Sequence, residues 1–228
     1  MECDGNGNTT ALQDWLNSNG GASASDDCSA ISWSNDFTAL SDDCGATGSA
    51  TVTFTVTDGC GNTNTTTATF TIEDTTDPTF NEALPIDITV ECDSVPAPET
   101  LTADDTCSNA TVVLDEVRTD GSCPGAYVLT RTWTATDECG NSTSHTQTVT
   151  VEDTTAPTFN ESLPTDETVE CDAVADAVTL TASDNCGTAD VTFTETTADG
   201  SCPGAYVLTR TWTATDECGN STSHTQTV

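Results

Sequence analysis

Residues 127–136 alternate with period two: Tyr127, Leu129, Arg131, Trp133 and Ala135 share one side, and Val128, Thr130, Thr132, Thr134 and Thr136 the other. That pattern predicts a strand with one face in a core and a threonine-lined face in water. Shorter runs predict further strands over 87–91, 99–103, 111–117 and 144–151, separated by Asp, Asn, Gly and Pro clusters that favour turns. Short strands at this spacing, with no helix between them, point to antiparallel sandwiches. One stretch departs from the pattern. Over residues 10–20, Ala11, Leu12, Trp15 and Leu16 fall on one helical face, Thr10 is placed to cap and Gly20 to terminate, which predicts a short inserted helix.

The pattern repeats. Residues 120–149 recur without change at 199–228, a period of 79 residues, and the same offset carries 72–80 onto 151–159 and 57–62 onto 136–141. Three homologous units follow: a divergent immunoglobulin-like module over 1–76 that carries the helix, and repeat modules over 77–155 and 156–228. The expected fold is all-β, tandem immunoglobulin-like β-sandwiches.

Composition narrows the chemistry. Of 228 residues, 38 are acidic and 3 basic, for a formal charge of −35, and all three basic residues are arginines, Arg118, Arg131 and Arg210. Such a chain repels nucleic acid and anionic membrane surfaces. Hydrophobic residues make up 34%, and threonine supplies about a fifth of the chain, too little apolar mass for one large core. No segment approaches the roughly 20 apolar residues of a membrane span, and residues 1–30 hold no signal segment, so the chain reads as part of a longer exported protein.

Modules of this size are near the limit at which a core suffices, and covalent staples are expected. Twelve cysteines fit that role and an oxidising compartment. They fall at Cys92, Cys107, Cys123 and Cys139 in the second unit, with gaps of 15, 16 and 16, and at Cys171, Cys186, Cys202 and Cys218 in the third, with the same gaps. The first unit has Cys3, Cys28, Cys44 and Cys60, only its first gap being longer. Structural zinc sites bring cysteines as close pairs, which this spacing does not supply. In an immunoglobulin-like strand order the second and fourth cysteines lie at one end of a module and the first and third at the other. The expectation is two disulfides per module: first with third, second with fourth. In the second and third units each would close 31 or 32 residues, worth ~3 to 4 kcal/mol by chain entropy.

The string at 132–141, repeated at 211–220 (Thr-Trp-Thr-Ala-Thr-Asp-Glu-Cys-Gly-Asn), followed by Thr-Val-Thr-Val-Glu-Asp-Thr-Thr-Ala-Pro at 148–157, resembles HYR-like immunoglobulin-type modules. More narrowly it is similar to the tandem repeats of SprB-type gliding-motility adhesins. The resemblance implies an extracellular, cell-surface filament secreted by the type IX route. It also implies O-glycan acceptors at Asp74-Thr75-Thr76 and Asp153-Thr154-Thr155. Where such modules carry a cysteine in the last strand, this chain has His145 and His224, so the family's bridge pattern does not transfer.

Acidic clusters are the candidate site. Linker residues Glu73, Asp74 and Asp77 precede the second unit, whose turns hold Asp104, Asp105, Asp137 and Glu138. The second junction repeats this with Glu152, Asp153, Asp184, Asp216 and Glu217. Hard oxygen ligands converging from two modules suit calcium, the one cofactor the sequence suggests; the competing reading is a solvated acidic surface. No nucleophile elbow, phosphate loop or metalloprotease helix appears, so no enzyme is expected. Two functions remain. One is a spacer forming the stalk of a surface adhesin, its partners the neighbouring repeats. The other is a glycan- or surface-polysaccharide-binding module acting through Trp15, Trp33 and Phe37 of the first unit.

Overall fold

A computed structural model describes residues 1–228, and the chain is all-β with one short helix. In the first repeat the helix α1 (Thr9–Asn17) and a 3-10 turn (Asn19–Gly21) precede β1 (Ser32–Asn35), β2 (Gly48–Thr57) and β3 (Thr63–Ile72), an antiparallel sheet in chain order. The second repeat holds β4 (Thr79–Phe80), β5 (Ile88–Glu91), β6 (Ala103–Asp104), β7 (Ala110–Asp120), β8 (Tyr127–Asp137) and β9 (Ser142–Glu152). They form a sheet of order β5-β9-β8-β7, with β5 parallel to β9, and a ribbon β4-β6. In the third, β10 (Thr158–Phe159) pairs β11 (Ala182–Ser183), and β12 (Ala189–Asp199), β13 (Tyr206–Asp216) and β14 (Ser221–Thr227) form a sheet in chain order. These are immunoglobulin-like modules with short, open sheets.

The helix forms where the apolar face predicts, with Ala11, Leu12 and Trp15 packed on the buried Phe70 and Ile72. Trp15 meets Phe54 and Phe70 at 5.3 Å between ring centres. Its ends differ from expectation. Thr10 lies inside the helix, and the preceding Asn8, at φ 48°, spends its amide on the loop before it, accepting from Asp4 N and donating to Glu2 O. Gly20 sits past the helix in the 3-10 turn at φ 63°, where a Cβ would lie 2.7 Å from the Phe54 ring. Only glycine fits there.

The alternation in residues 127–136 appears as expected: Leu129, Arg131, Trp133 and Ala135 are buried and the threonines between them are not. Trp133 Nε1 donates to Glu99 O at 3.0 Å, and Trp212 Nε1 to Val178 O at 3.0 Å. Arg131 is 3% exposed; its Nε bonds Glu116 Oε2 at 2.7 Å and its Nη2 donates to Pro96 O. Arg210 does the same with Glu195 and Ala175 O. Burying a guanidinium is tolerable only with such partners. Side-chain bonds also explain why the strand expected over 99–103 shrinks to β6. Glu99 O is spent on the Trp133 indole and Thr102 N on the Glu82 carboxylate, leaving two residues to pair with β4.

Compaction does not follow the repeat. One compact unit gathers Met1–Leu84, Glu99–Asp115 and Thr132–His145; the other gathers Pro85–Pro98, Glu116–Arg131 and Thr146–Val228. The second repeat is therefore divided between them, whereas its expected module was 77–155. Each unit contains one inter-repeat junction, with two disulfides across it.

The bridges are Cys3–Cys107, Cys44–Cys139, Cys92–Cys186 and Cys123–Cys218, with Cα atoms 5.8, 5.2, 5.8 and 5.2 Å apart. None joins cysteines of the same repeat. None of the expected pairs Cys3–Cys44, Cys28–Cys60, Cys92–Cys123, Cys107–Cys139, Cys171–Cys202 and Cys186–Cys218 forms, and Cys28, Cys60, Cys171 and Cys202 are exposed free thiols. The expected ends are nonetheless right: the Cys107 and Cys139 loops touch, Asn109 Nδ2 donating to Glu138 Oε1 at 2.9 Å. At that end the sulfurs bond the preceding repeat, not each other. First-position sulfurs join second-position ones of the next repeat, and third join fourth.

Candidate functional site: the clamped junction

In the first compact unit the junction is assembled from the linker, two bridges and one carboxylate that sequence reasoning overlooked. Glu2 and Glu73 form an isolated parallel bridge, Cys3 N donating to Glu73 O and Glu73 N to Met1 O, both at 2.9 Å. The Glu2 carboxylate then accepts from Thr75 N (2.9 Å), Thr75 Oγ1 (2.8 Å) and Thr76 Oγ1 (2.8 Å). Those donors hold its pKa below the usual glutamate value, the Thr75 N–H first. In the other unit Glu91 plays the same part, accepting from Thr154 N at 3.2 Å and from Thr154 Oγ1. The available signal was the thrice-repeated Glu-Cys-Asp, at Glu2, Glu91 and Glu170. Asn141 Nδ2 donates to Asp74 O, and Asn220 Nδ2 to Asp153 O at 3.0 Å, fastening the linker from the opposite side.

Close approach is built in by glycine. Gly45, beside Cys44, has φ +55°, and a Cβ there would meet Ser108 Cβ at 2.6 Å. At Gly125 a Cβ would meet Asp153 Cβ at 2.9 Å and Cys186 Cβ at 3.0 Å.

Carboxylates collect against the bridges. Ligand atoms of Asp74, Asp105 and Cys107 lie within 4.8 Å of one another, as do those of Asp153, Asp184 and Asp216, and of Glu91, Asp153 and Cys186. The sulfurs are disulfide-bonded, so only oxygen is available as a hard ligand. Asp74 Oδ2 and Asp184 Oδ2 are buried and accept no hydrogen bond. Burial, then repulsion from Asp105 and Asp137, holds the Asp74 carboxyl above its usual value; burial, then Asp184 and Asp216, does so for Asp153. Burial pushes Asp216 up, but donors from Asn220 and Cys218 outweigh it and leave it lowered.

Of the expected calcium ligands, Asp74 and Asp105 thus meet at one junction and Asp153, Asp184 and Asp216 at the other, while Asp137 repels Asp74 but accepts from Asn141 N and Nδ2. Asp77 is used elsewhere, accepting from Ser142 N at 3.1 Å, and Glu138 from Asn109. Glu73, Asp104, Glu152 and Glu217 carry exposed side chains outside these groups. The aromatic trio of the first repeat also separates. Trp15 belongs to the core, while Trp33 lines a shallow concavity with Val56, Asn64, Thr65 and Thr66, and Phe37 is half-buried apart from it.

A pH dependence follows. A carboxyl whose value is raised in the fold contributes stability that is present at low pH and lost as pH rises through the raised value. With calcium chelated, lowering the pH from neutrality toward about 4 is expected to raise the melting midpoint. Asp74→Asn with Asp153→Asn should abolish that rise. Further acidification should reverse it, because Glu2, Glu82 and Glu161 sit below their usual values, held first by the backbone N–H of Thr75, Thr102 and Thr181. Their contribution is lost as pH falls through the lowered values.

Fold and junction together define a class: a tandem, all-β immunoglobulin-like repeat chain whose neighbouring repeats are tied by paired disulfides. No protein-family profile matches the chain, and no curated protein matches it. Among solved structures it is similar to the protocadherin gammaB7 EC3-6 cis-dimer, at 17% identity and TM-score 0.30 over 79% of this chain. It is also similar to Drosophila N-cadherin EC1-4 (16%, 0.24, 90% of this chain and 68% of that one) and to human CDH23 EC21-23 (17%, 0.29, 79% and 73%). The chain spans 57% of the length of the protocadherin gammaB7 structure. Likeness of this degree transfers neither site nor partner.

Proposed function

We propose that the chain is a non-enzymatic, extracellular spacer, a segment of the stalk of a bacterial cell-surface adhesin of the gliding-motility type. The observation that carries this reading is the pair of disulfides at each junction. A recognition module needs a shaped surface, whereas a stalk needs neighbouring repeats that do not part, and the chain commits its bonded cysteines to the latter. Disulfides of this kind persist outside reducing compartments. No helix is long and apolar enough to cross a membrane. Identical sequence over residues 120–149 and 199–228 suits reach more than discrimination.

Calcium at the junctions belongs to the same proposal. Asp74 Oδ2 and Asp184 Oδ2, buried without donors among other carboxylates, are the chemistry a divalent cation satisfies. Bound there, it would supply charge neutralisation, and Asp74 with Asp105 at one junction and Asp153, Asp184 and Asp216 at the other would hold it.

The second reading is recognition by the first repeat, favoured by Trp33 in its concavity beside Asn64, Thr65 and Thr66. A glycan array probed with the full oxidised chain decides between them. The spacer predicts no specific binding; binding that disappears in Trp33→Ala replaces it with recognition. In parallel, millimolar calcium at neutral pH should raise the melting midpoint over that in excess chelator. At a hundredfold excess over its dissociation constant the gain is about 2.7 kcal/mol, and coincident midpoints remove the ion from the proposal.

A further inference from the structure

Of the two bridges in the first compact unit, one sits among carboxylates. The Cys107 sulfur and carboxylate oxygens of Asp74 and Asp105 all lie within 4.8 Å of one another. Cys3 Sγ, bonded to Cys107 Sγ, brings a fourth donor to the same place. Both cysteines are buried, Cys3 at 7% and Cys107 at 6% exposure. No such group forms around Cys44–Cys139. The carboxylates are held in position. Asp74 Oδ1 accepts from Thr76 N at 3.2 Å, while its Oδ2 is buried and accepts no hydrogen bond. Asp105 Oδ1 accepts from Cys107 N and Ser108 N at 2.7 and 3.2 Å, which fixes that carboxylate beside the sulfur.

Backbone contacts hold both cysteines independently of the S–S bond. Cys3 N donates to Glu73 O at 2.9 Å, next to Asp74, and Ala46 N donates to Cys107 O at 2.8 Å. Gly5 N donates to Cys3 Sγ at 3.4 Å. Gly5 itself, at φ +74°, approaches Thr106 so closely that a Cβ would lie 2.5 Å from Thr106 O. Cys44–Cys139 also closes this junction. Opening Cys3–Cys107 therefore frees two sulfurs without releasing the segments that carry them.

We propose that the junction, with Cys3–Cys107 reduced, is a zinc site made of the Cys3 and Cys107 thiolates and the Asp74 and Asp105 carboxylates. Zinc takes four such ligands tetrahedrally, at about 2.3 Å from sulfur and 2.0 to 2.2 Å from oxygen, so the tetrahedron's edges are roughly 3.3 to 3.8 Å. Those edges fall inside the 4.8 Å that bounds the grouped atoms. With Cα atoms 5.8 Å apart, the two sulfurs reach that spacing by side-chain rotation. Four protein ligands leave no open position, which makes the site structural. The second junction is a poorer copy. Cys186 groups there with Glu91 and Asp153, but Glu91 already accepts from Thr154 N and Thr154 Oγ1.

A dithiol reductant passes two electrons and two protons to the bridge and becomes a cyclic disulfide. Zinc then displaces one proton from each thiol. A small disulfide oxidant reverses the sequence: it takes two electrons from the thiolates, leaves as two thiols with protons from solvent, and zinc is released as Cys3–Cys107 re-forms. Sulfur separates this state from the oxidised junction, where only hard oxygen remains. The zinc site does not rest on the calcium reading of that oxidised state. It also guides pairing. The Cys107 and Cys139 loops of one repeat touch, and a metal that gathers Cys3 with Cys107 reserves Cys107 for the neighbouring repeat.

The test opens the full chain with a phosphine, which takes oxygen from water and leaves two thiols per bridge. Zinc or excess chelator is added, and alkylation is mapped cysteine by cysteine by mass spectrometry. Zinc should nearly abolish alkylation of Cys3 and Cys107, whereas Cys28, Cys60, Cys171 and Cys202, exposed and outside any ligand group, react alike in both. Where reduction loosens the chain, zinc should restore the near-ultraviolet circular dichroism that reduction removed. Cobalt in place of zinc should give the visible bands of a tetrahedral site together with sulfur charge transfer. Asp74→Asn with Asp105→Asn should weaken cobalt binding by about 10- to 100-fold, at least the cost of disturbing an outer partner. A melting midpoint of the oxidised variant no lower than the parent's shows that it folds. Equal alkylation with zinc and chelator would overturn the proposal, as would protection of Cys44 and Cys139 in place of Cys3 and Cys107, or unaltered cobalt binding in the double variant. Calcium should protect neither sulfur; protection equal to that by zinc would mean charge screening without ligation, and would also overturn it.

Discussion

Replacing both members of the Cys44–Cys139 bridge with serine is expected to remove about 4 to 5 kcal/mol from the first compact unit. In the chain-entropy model the cost of freeing a loop grows with its length, and this bridge spans 95 residues. Urea unfolding followed by tryptophan fluorescence measures the loss, and the melting midpoint should drop by roughly 10 °C or more. Cys28→Ser with Cys60→Ser is the control, because both thiols are exposed and unbonded. Its midpoint should match that of the parent. The pairing first expected from topology makes the opposite forecast, since Cys28–Cys60 would then be a bridge and its removal would destabilise. A silent change at Cys44 and Cys139 would reject the cross-repeat assignment outright.

The second large effect is expected at the tryptophans of β8 and β13. Trp133 is 1% exposed and Trp212 2%, in sheets with few other large apolar residues. Truncating either to alanine should cost about 3 to 5 kcal/mol through lost burial and the cavity left behind. It also leaves a backbone carbonyl, Glu99 O or Val178 O, without its indole donor. Trp212 has one more contact to lose, Phe193 at 5.1 Å between ring centres, besides the His224 ring stacked at 6.1 Å. Phenylalanine at either position keeps much of the packing but not the donor, and should cost about 1 to 2 kcal/mol. Near-UV circular dichroism combined with denaturant titration separates the two losses. A penalty below about 1 kcal/mol for Trp212→Ala would mean that the module is not organised around its indole.

What the sequence made legible was what one repeat decides alone. The alternation around Trp133 named the buried face, and the face of Ala11, Leu12 and Trp15 named the helix. Two kinds of feature escaped. The strand expected over 99–103 shrank to Ala103–Asp104 because Glu99 O serves the Trp133 indole and Thr102 N the Glu82 carboxylate, a competition that propensity does not register. The bridges failed because equal spacing in every repeat fits any pairing between the right ends, and nothing in one module indicates that its neighbour's sulfurs come closer than its own. The acidic site was half legible: Asp74, Asp105, Asp153, Asp184 and Asp216 were named, but Glu2 and Glu91 were missed. Their role depends on the parallel strand contacts, Glu2 with Glu73 and Glu91 with Glu152, that bring them to the linker threonines.

Under tension the staggered sulfur links create a shortcut. A pull applied at the two termini need not travel the whole backbone. It can enter at Cys3, cross to Cys107, follow 16 residues to Cys123, and cross again to Cys218 close to the other terminus. Everything between the bonded positions is shielded slack. Even fully denatured, the oxidised chain can lengthen by only a small part of its contour, at roughly 3.5 Å per residue on the exposed path. Tension on the oxidised chain is borne by covalent bonds rather than by the thin cores of its modules.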